Sequence, residues 1–482
     1  MYCTMIPTIL LQASPVGSAL KALLETLSTP AGLIGGTLGI VVLAAVVLRR
    51  EGAFLGGTLV LILMTMMEQE NRYFDNTLIG PLQKLRDVAR IGSVALLVAL
   101  TINLTLAPRN SRKRRLSFTM IAFLLFETYY LGRLALHGEA TRAAFGWLTD
   151  LLVFASFGLG FGKKLDTSKD FERFVGMFGV ASLVFIAFNV IQLVLGYSFA
   201  IAGGRFAGIS GNAQLAGYVC AVFILFNTHI YSSSSFGSYK RYLYAIAIGF
   251  LAVFLLWSGS RTSALCCVTG LLVYFRLRIG TLAVLAALAG IVLTVVAALF
   301  TESLGGVERF LQGENTRREI WMQLLDEFYS APLFGAMSGR AGIVSASESS
   351  YLTTLALLGI VGAIPLALLV GGIFSSGVRA LFARRSGLVP PLQADLILGS
   401  IPVIIIGSIF EGFFLGILAF SVIWIYAFMA LAAYVVERAS EPPPSDEDDE
   451  AYLVVETESE SEDDDGRSYN EAVSTDSDTQ RM

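Results

Sequence analysis

Charge is what this sequence has least of. Asp, Glu, Lys and Arg make up 15% of its 482 residues, where a soluble domain carries about a quarter. Histidine occurs only as His137 and His229, and cysteine only as Cys3, Cys220, Cys266 and Cys267, at the terminus or inside apolar runs. These few residues offer neither a histidine-rich metal centre nor metal-ligand or disulfide spacing. No metal and no cofactor are therefore expected, and the cysteines read as small packing residues. The period-two alternation of a lipid-facing barrel strand is also missing, which excludes an outer-membrane barrel. Between Met5 and Leu27 the chain is apolar but carries Lys21 and Glu25, with no basic opening and no clear cleavage site. It is not read as a signal peptide.

Apolar residues are what is there: 55% of the chain, with a mean hydropathy of +0.68. Runs near the ~20 residues needed to cross a bilayer core recur along most of the sequence. Spans are expected at 31–48, 52–67, 88–107, 116–136, 143–161, 174–197, 213–231, 242–257, 264–279, 281–300, 351–373, 395–410 and 413–435. The fold class is therefore all-α, a polytopic membrane helical bundle of about 12–14 transmembrane helices. Loop charge orients it. Arg49–Arg50, Arg112–Arg115, Lys163–Lys164, Lys240–Arg241, Arg276 with Arg278, and Arg384–Arg385 fall on alternate sides, expected to be cytoplasmic. The opposite face then holds the glycine-rich loop 198–212, the turn 258–263, a large extracytoplasmic loop at about 301–350, and the short Glu411–Gly412 turn.

Composition changes abruptly after residue 440. Residues 441–482 hold 16 acidic and 2 basic side chains, so this segment carries −14 and the body +10 of the overall −4. It is expected to be a disordered cytoplasmic tail, either simply solvated or engaged by a partner, following a transmembrane domain over residues 1–440.

Within the external loop, Thr316-Arg317-Arg318-Glu319 has the form of a capping box. Ile320, Trp321, Leu324, Leu325 and Phe328 continue it as an apolar stripe at helical spacing, and Pro332 limits the helix to about four turns. Such an amphipathic helix lies on the membrane surface or covers a cavity between spans. Two arginines in a first turn oppose the helix dipole unless an anion joins them. Pairing with Glu314, Glu319 or lipid headgroups is the alternative. Arg205, Arg261 and Arg340 fall on the same face, against the cytoplasmic bias of basic residues, and point to an anionic partner. Glu348, three residues before a span, is a candidate general base or an arginine partner, and Glu411 is a further external carboxylate. Within spans, Arg133 and Asp150 differ in depth by about 6 Å and are expected to pair, while His229 is expected at an interface.

The order RFAGISGNAQLAGY (205–218), WSGSRTSAL (257–265), RREIWMQLLDEFYSAPLFGAMSGR (317–340), ESSYLTTLALLGIVGAIP (348–365) resembles the O-antigen ligase and polymerase family of bacterial membrane proteins. The resemblance covers residues 200–370, and its most specific parts are S-G-S-R and the R-x-x-W…P-x-x-G…Y-L…G-x-x-G series, which includes Trp321. It implies a metal-independent, inverting glycosyltransferase of the cytoplasmic membrane, working at the outer face in cell-envelope polysaccharide biosynthesis. The donor is a glycan on polyprenyl diphosphate such as undecaprenyl diphosphate, the acceptor a second glycan. Arg205, Arg261, Arg317, Arg318 and Arg340 would hold the diphosphate, with Arg261 and Glu348 catalytic. Preorganised cations stabilise such a leaving group. Ligases of that family usually carry a His-Asn pair before the span that starts here at Tyr351. Glu348-Ser349-Ser350 stands in its place, which favours polymerase over ligase. The competing reading is a transporter of an anion such as bicarbonate or of a lipid-linked glycan. A scaffold recruiting partners through the acidic tail is a third, and no nucleic-acid partner is expected.

Overall fold

A computed structural model describes Ala45 and residues 51–67, 80–106, 117–161, 164–195, 200–202, 205–280, 316–336, 349–415 and 418–440. The chain divides at Ala439/Ser440. Apart from Ala45, the expected span at 31–48, together with the span at 281–300, most of the external loop and the acidic segment 441–482, lies outside the described residues.

What is described is a helical bundle. In chain order come α1 (Glu51–Met67), α2 (Gly80–Leu106), α3 (Phe118–Leu136) and α4 (Ala140–Val153), the last widening into a π-helix over Phe154–Phe161. Then follow α5 (Ser168–Leu195), a hairpin of β1 (Ile201–Ala202) and β2 (Arg205–Phe206), α6 (Ala213–Ser233) and α7 (Tyr239–Ser258). The series ends with α8 (Arg261–Tyr274), α9 (Arg276–Ile279), α10 (Thr316–Ser330), α11 (Ser350–Arg385), α12 (Pro391–Phe410) and α13 (Phe420–Arg438). Among the described residues, α3, α5, α6, α7, α11, α12 and α13 are long and apolar enough to cross a membrane, and shorter apolar helices run through α1, α2 and α8. This is a multi-pass membrane architecture.

Side-chain caps start several of these helices. Asn212 Oδ1 accepts from Gln214 N at 2.8 Å, and Ser238, Ser260 and Ser349 accept backbone N–H groups three residues on. The centre is α6, whose most apolar window is 94% buried, against 33% for α7 at the periphery. Phe226 of α6 stacks on Phe178 of α5 at 4.5 Å between ring centres and meets Trp424 of α13 at 5.2 Å. On α7, Tyr242, Ile246, Phe250, Val253 and Leu256 form an exposed apolar stripe at helical spacing, a face suited to acyl chains.

Polar groups staple one end of the bundle. Asp395 Oδ1 of α12 lies 2.9 Å from Arg276 Nη2 and 2.8 Å from Arg384 Nε, tying together α9, α12 and α11. Gln393 donates to Ser168 Oγ and Glu172 Oε1, and His229 Nε2 stands 3.2 Å from both Glu172 oxygens. His229, expected at an interface near a helix end, lies four residues before the end of α6 and is fully buried there against Glu172 and the rings of Phe171 and Tyr274.

Two expectations are corrected. Arg133 does not pair with Asp150: its Nη2 donates to Gly335 O at 3.3 Å. A carbonyl outside any helix needs a donor, and Arg133 supplies it. The last hairpin is not a two-residue turn with a span starting at 413. Phe413–Leu415 form a 3-10 turn and α13 begins only at Phe420. The cause is aromatic. Phe413 packs on Tyr218 at 4.1 Å, and buried Phe414 sits against Phe123 and Tyr351, so this segment plugs into the bundle before the helix can start.

α11 runs on beyond its expected 351–373 to Arg385, since no proline interrupts residues 374–385 and Ser386 and Gly387 end it. It is broken at Gly359, where φ is 66° and ψ −165°. Into that break fits the segment after α10. Ile360 N donates to Pro332 O at 2.9 Å, Val361 N to Leu333 O at 3.2 Å, and Ala336 N to Ala356 O at 2.8 Å.

Candidate functional site at the Arg205 and Arg261 end

The S-G-S-R element joins two membrane helices by the shortest of turns. Ser258 ends α7, Gly259 takes the left-handed conformation at φ 60°, Ser260 caps α8, and Arg261 is its first residue. Ser260 Oγ and Ser263 Oγ stand 2.7 Å apart, and Ser263 Oγ donates to Gln214 O, so the turn is fixed to the start of α6. Gly217 is what admits it: a Cβ there would lie 2.7 Å from Ser258 Oγ and 2.9 Å from Ser260 Cβ.

Arg205 reaches the same turn from the hairpin. Ala202 pairs with Arg205 and Ile201 with Phe206 across the two antiparallel strands. Phe206, fully buried, stacks on Phe254 at 4.5 Å and Trp257 at 5.8 Å, which pins β2 against the end of α7. Arg205 Nε then donates to Ser258 O at 2.7 Å. A cation on the last carbonyls of a helix complements its dipole. The two arginines that the sequence singles out, 56 positions apart, thus border one turn.

Glu411 belongs to the same end. α8 and α12 run antiparallel and touch backbone to backbone at Gly270 and Gly399. From that contact Arg261 lies about 14 Å along α8 and Glu411 about 18 Å along α12, at 1.5 Å per residue. Glu411 is nearly buried, and its carboxylate is within electrostatic reach of Cys266, midway down α8. Its carbonyl accepts from Ser350 N at 3.1 Å and Ser350 Oγ at 2.8 Å, while Tyr351 Oη and Ser408 Oγ stand 3.0 Å apart. The start of α11 is thereby sewn to the end of α12.

α10 closes over this corner. It spans Thr316–Ser330, the expected four turns, and packs on α11 with Leu324 buried. Trp321 stacks on Phe410 at 6.1 Å, next to Glu411. Arg318, in the first turn of α10, is exposed to solvent, and Arg317 shares that turn although its side chain lies outside the described part. Arg340 and Glu348 lie outside the described residues. Glu348 nevertheless precedes by one position Ser349, the cap of α11, and by two Ser350, which is bonded to Glu411.

The structure therefore brings Arg205 to Arg261, and Trp321 to Glu411, at one end of the bundle. The sequence reading missed the interlock around Gly335 and Gly359. Both glycines stood in the P-x-x-G and G-x-x-G motifs, and their role there is conformational. What results is an end of the bundle with exposed arginine, a helix N-terminus, a sheltered carboxylate and an amphipathic cover, a combination suited to holding an anion beside a proton acceptor. No family model and no curated protein matches this chain.

Proposed function

We propose that this chain is a membrane glycosyltransferase that polymerises, or ligates, oligosaccharide units carried on polyprenyl diphosphate. The supporting observation is the single turn bordered by Arg205 and Arg261, the two arginines of the most specific motifs. In this reading the Arg205 and Arg261 end faces outward from a bacterial cytoplasmic membrane and the acidic tail inward.

The reaction asks little of the protein beyond position and charge. An acceptor hydroxyl oxygen bonds to the donor's anomeric carbon from the side opposite the diphosphate. The carbon–oxygen bond to diphosphate breaks, and its electron pair leaves with the phosphate. Arg261, at the N-terminus of α8, stabilises that growing charge with Arg205, and Arg317, Arg318 and Arg340 extend the cation cluster. The acceptor proton goes to a carboxylate, Glu348 or Glu411. A polyisoprenoid donor accounts for placing such a site at the end of lipid-embedded helices.

The test uses full-length protein in lipid nanodiscs with a polyprenyl-diphosphate-linked repeat unit. Release of polyprenyl diphosphate matched to a ladder of glycan multiples establishes polymerase chemistry, and release only with a separate acceptor establishes a ligase. Translocation of lipid-linked glycan or bicarbonate without diphosphate release overturns the proposal in favour of transport. Undiminished product when Arg205 and Arg261 are both neutralised overturns the diphosphate site.

A further inference from the structure

Between the two polar ends lies a group of acids without a base. Glu127 in α3 and Asp150 in α4 face each other across the hairpin at matching depth, about 14 and 15 Å from its turn at 1.5 Å per residue. Both are buried, at 0% and 1% exposure. Neither oxygen of either carboxyl has a hydrogen-bond partner among the described residues. A third group points at them. Tyr426 of α13 is fully buried, its hydroxyl has no hydrogen-bond partner among the described residues, and that hydroxyl feels both carboxylates. Its ring lies 5.1 Å from Phe123, one turn before Glu127 on α3.

The surroundings offer no compensating charge. Among the described residues the electrostatic partner of Glu127 is Asp150, and no cation acts on either acid. On α3, Tyr130 adjoins the pair and Arg133 is committed to Gly335 O. Arg142 of α4 pairs at 3.0 Å with Glu139, the residue just before that helix, near the turn. The π-helical Phe154–Phe161 carries no titratable side chain, and from α13 the group that faces the acids is Tyr426. Two carboxyls at the midplane of an apolar bundle are costly unless something positive sits between them.

We propose that Glu127, Asp150 and Tyr426 form a binding site for one small monovalent cation, a proton or Na+. The three side chains together supply five oxygens, enough for either. A divalent ion is disfavoured, because calcium takes six to eight oxygens and magnesium a near-ideal octahedron with several waters. The bound cation makes the packing of the α3–α4 hairpin against α13 depend on ion concentration. This site is separate from the Arg205 and Arg261 end and does not rest on the glycosyltransferase reading.

The test is the thermal unfolding midpoint of the full chain in nanodiscs, read along two series. One varies Na+ against a bulky organic cation at fixed pH and ionic strength. The other varies pH without Na+. The wild type is expected to gain stability along at least one series: a Na+ response assigns Na+, and a response to pH alone assigns the proton. The double variant Glu127→Gln, Asp150→Asn keeps the shape and should lose that response. Tyr426→Phe removes one ligand and should weaken apparent cation affinity about tenfold. Should the double variant fail to insert, Tyr426→Phe decides alone. A wild type indifferent to both series, or variants that respond as the wild type does, overturns the site.

Discussion

Gly335 lies in the notch that Gly359 opens in α11, backbone against backbone. A Cβ on Gly335 would stand 2.2 Å from the Leu357 carbonyl carbon, and one on Gly359 would stand 2.4 Å from Leu333 O. Both residues have positive φ, 76° and 66°. Irregular backbone inside a membrane bundle is tolerated where its polar groups find partners in the protein, and here the segment after α10 provides them.

Gly335→Ala and Gly359→Ala should therefore each destabilise the protein by at least about 2 kcal/mol, combining left-handed strain with a backbone clash. Gly371→Ala, in the same helix with open space around it, should be neutral or slightly stabilising. Thermal melts of the three variants in detergent check the contrast, and equal effects would remove the notch from the argument.

Asp395→Asn tests the opposite end. It leaves Arg276 and Arg384 facing each other without the carboxylate that both use. Because Arg384 is 22% exposed, the expected cost is about 1–3 kcal/mol, below that of breaking a fully buried pair. A melt should show it, while glycan transfer at permissive temperature stays close to wild type.

Arg205 and Arg261 should respond differently to lysine. Arg205→Lys removes the Nε donor to Ser258 O, so stability and transfer fall together. Under the proposed reaction Arg261, exposed at the first position of α8, should lose transfer by about 10²-fold as lysine, the size of one lost transition-state donor, with a smaller change in the melt than Arg205→Lys. Product formation and thermal midpoint measured side by side separate the two.

Under the proposed transfer reaction, Glu348→Gln and Glu411→Gln identify the proton acceptor. Loss of a general base costs about 10²–10⁴-fold in rate. One of the two variants should show that loss with its donor KM nearly unchanged. Ser350→Ala removes the tie to Glu411 O and the acceptor for Phe414 N, and should instead cost about 1–3 kcal/mol of stability.

The membrane bundle was legible in the sequence because a run of about twenty apolar residues has few other fates. The amphipathic α10 was legible too, since its stripe and Pro332 are local signals. Arg133 shows where local reading stops. Depth along a hairpin matched it to Asp150, whereas its partner is the carbonyl of Gly335, 202 positions away. The start of α13 was misplaced for a similar reason: Phe413 and Phe414 read as span residues, and only Tyr218 and Phe123 reveal them as a plug. In the candidate site, the kinds of residue were readable but their grouping was not. Arg205 meets Arg261 through a backbone carbonyl, which leaves no trace in composition.

The contact between Gly270 and Gly399 acts on the far reaches of the molecule. At this point α8 and α12 approach as closely as bare backbones permit, with Gly399 O only 3.0 Å from where a Gly270 Cβ would be. Arg261 rides on one helix and Glu411 on the other, so the crossing works as the pivot of a pair of shears. Any side chain placed at the pivot would splay the blades, and the separation between cation and carboxylate at their tips would widen. The spacing between Arg261 and Glu411 is thus set midway along two helices, at a pair of glycines remote from both.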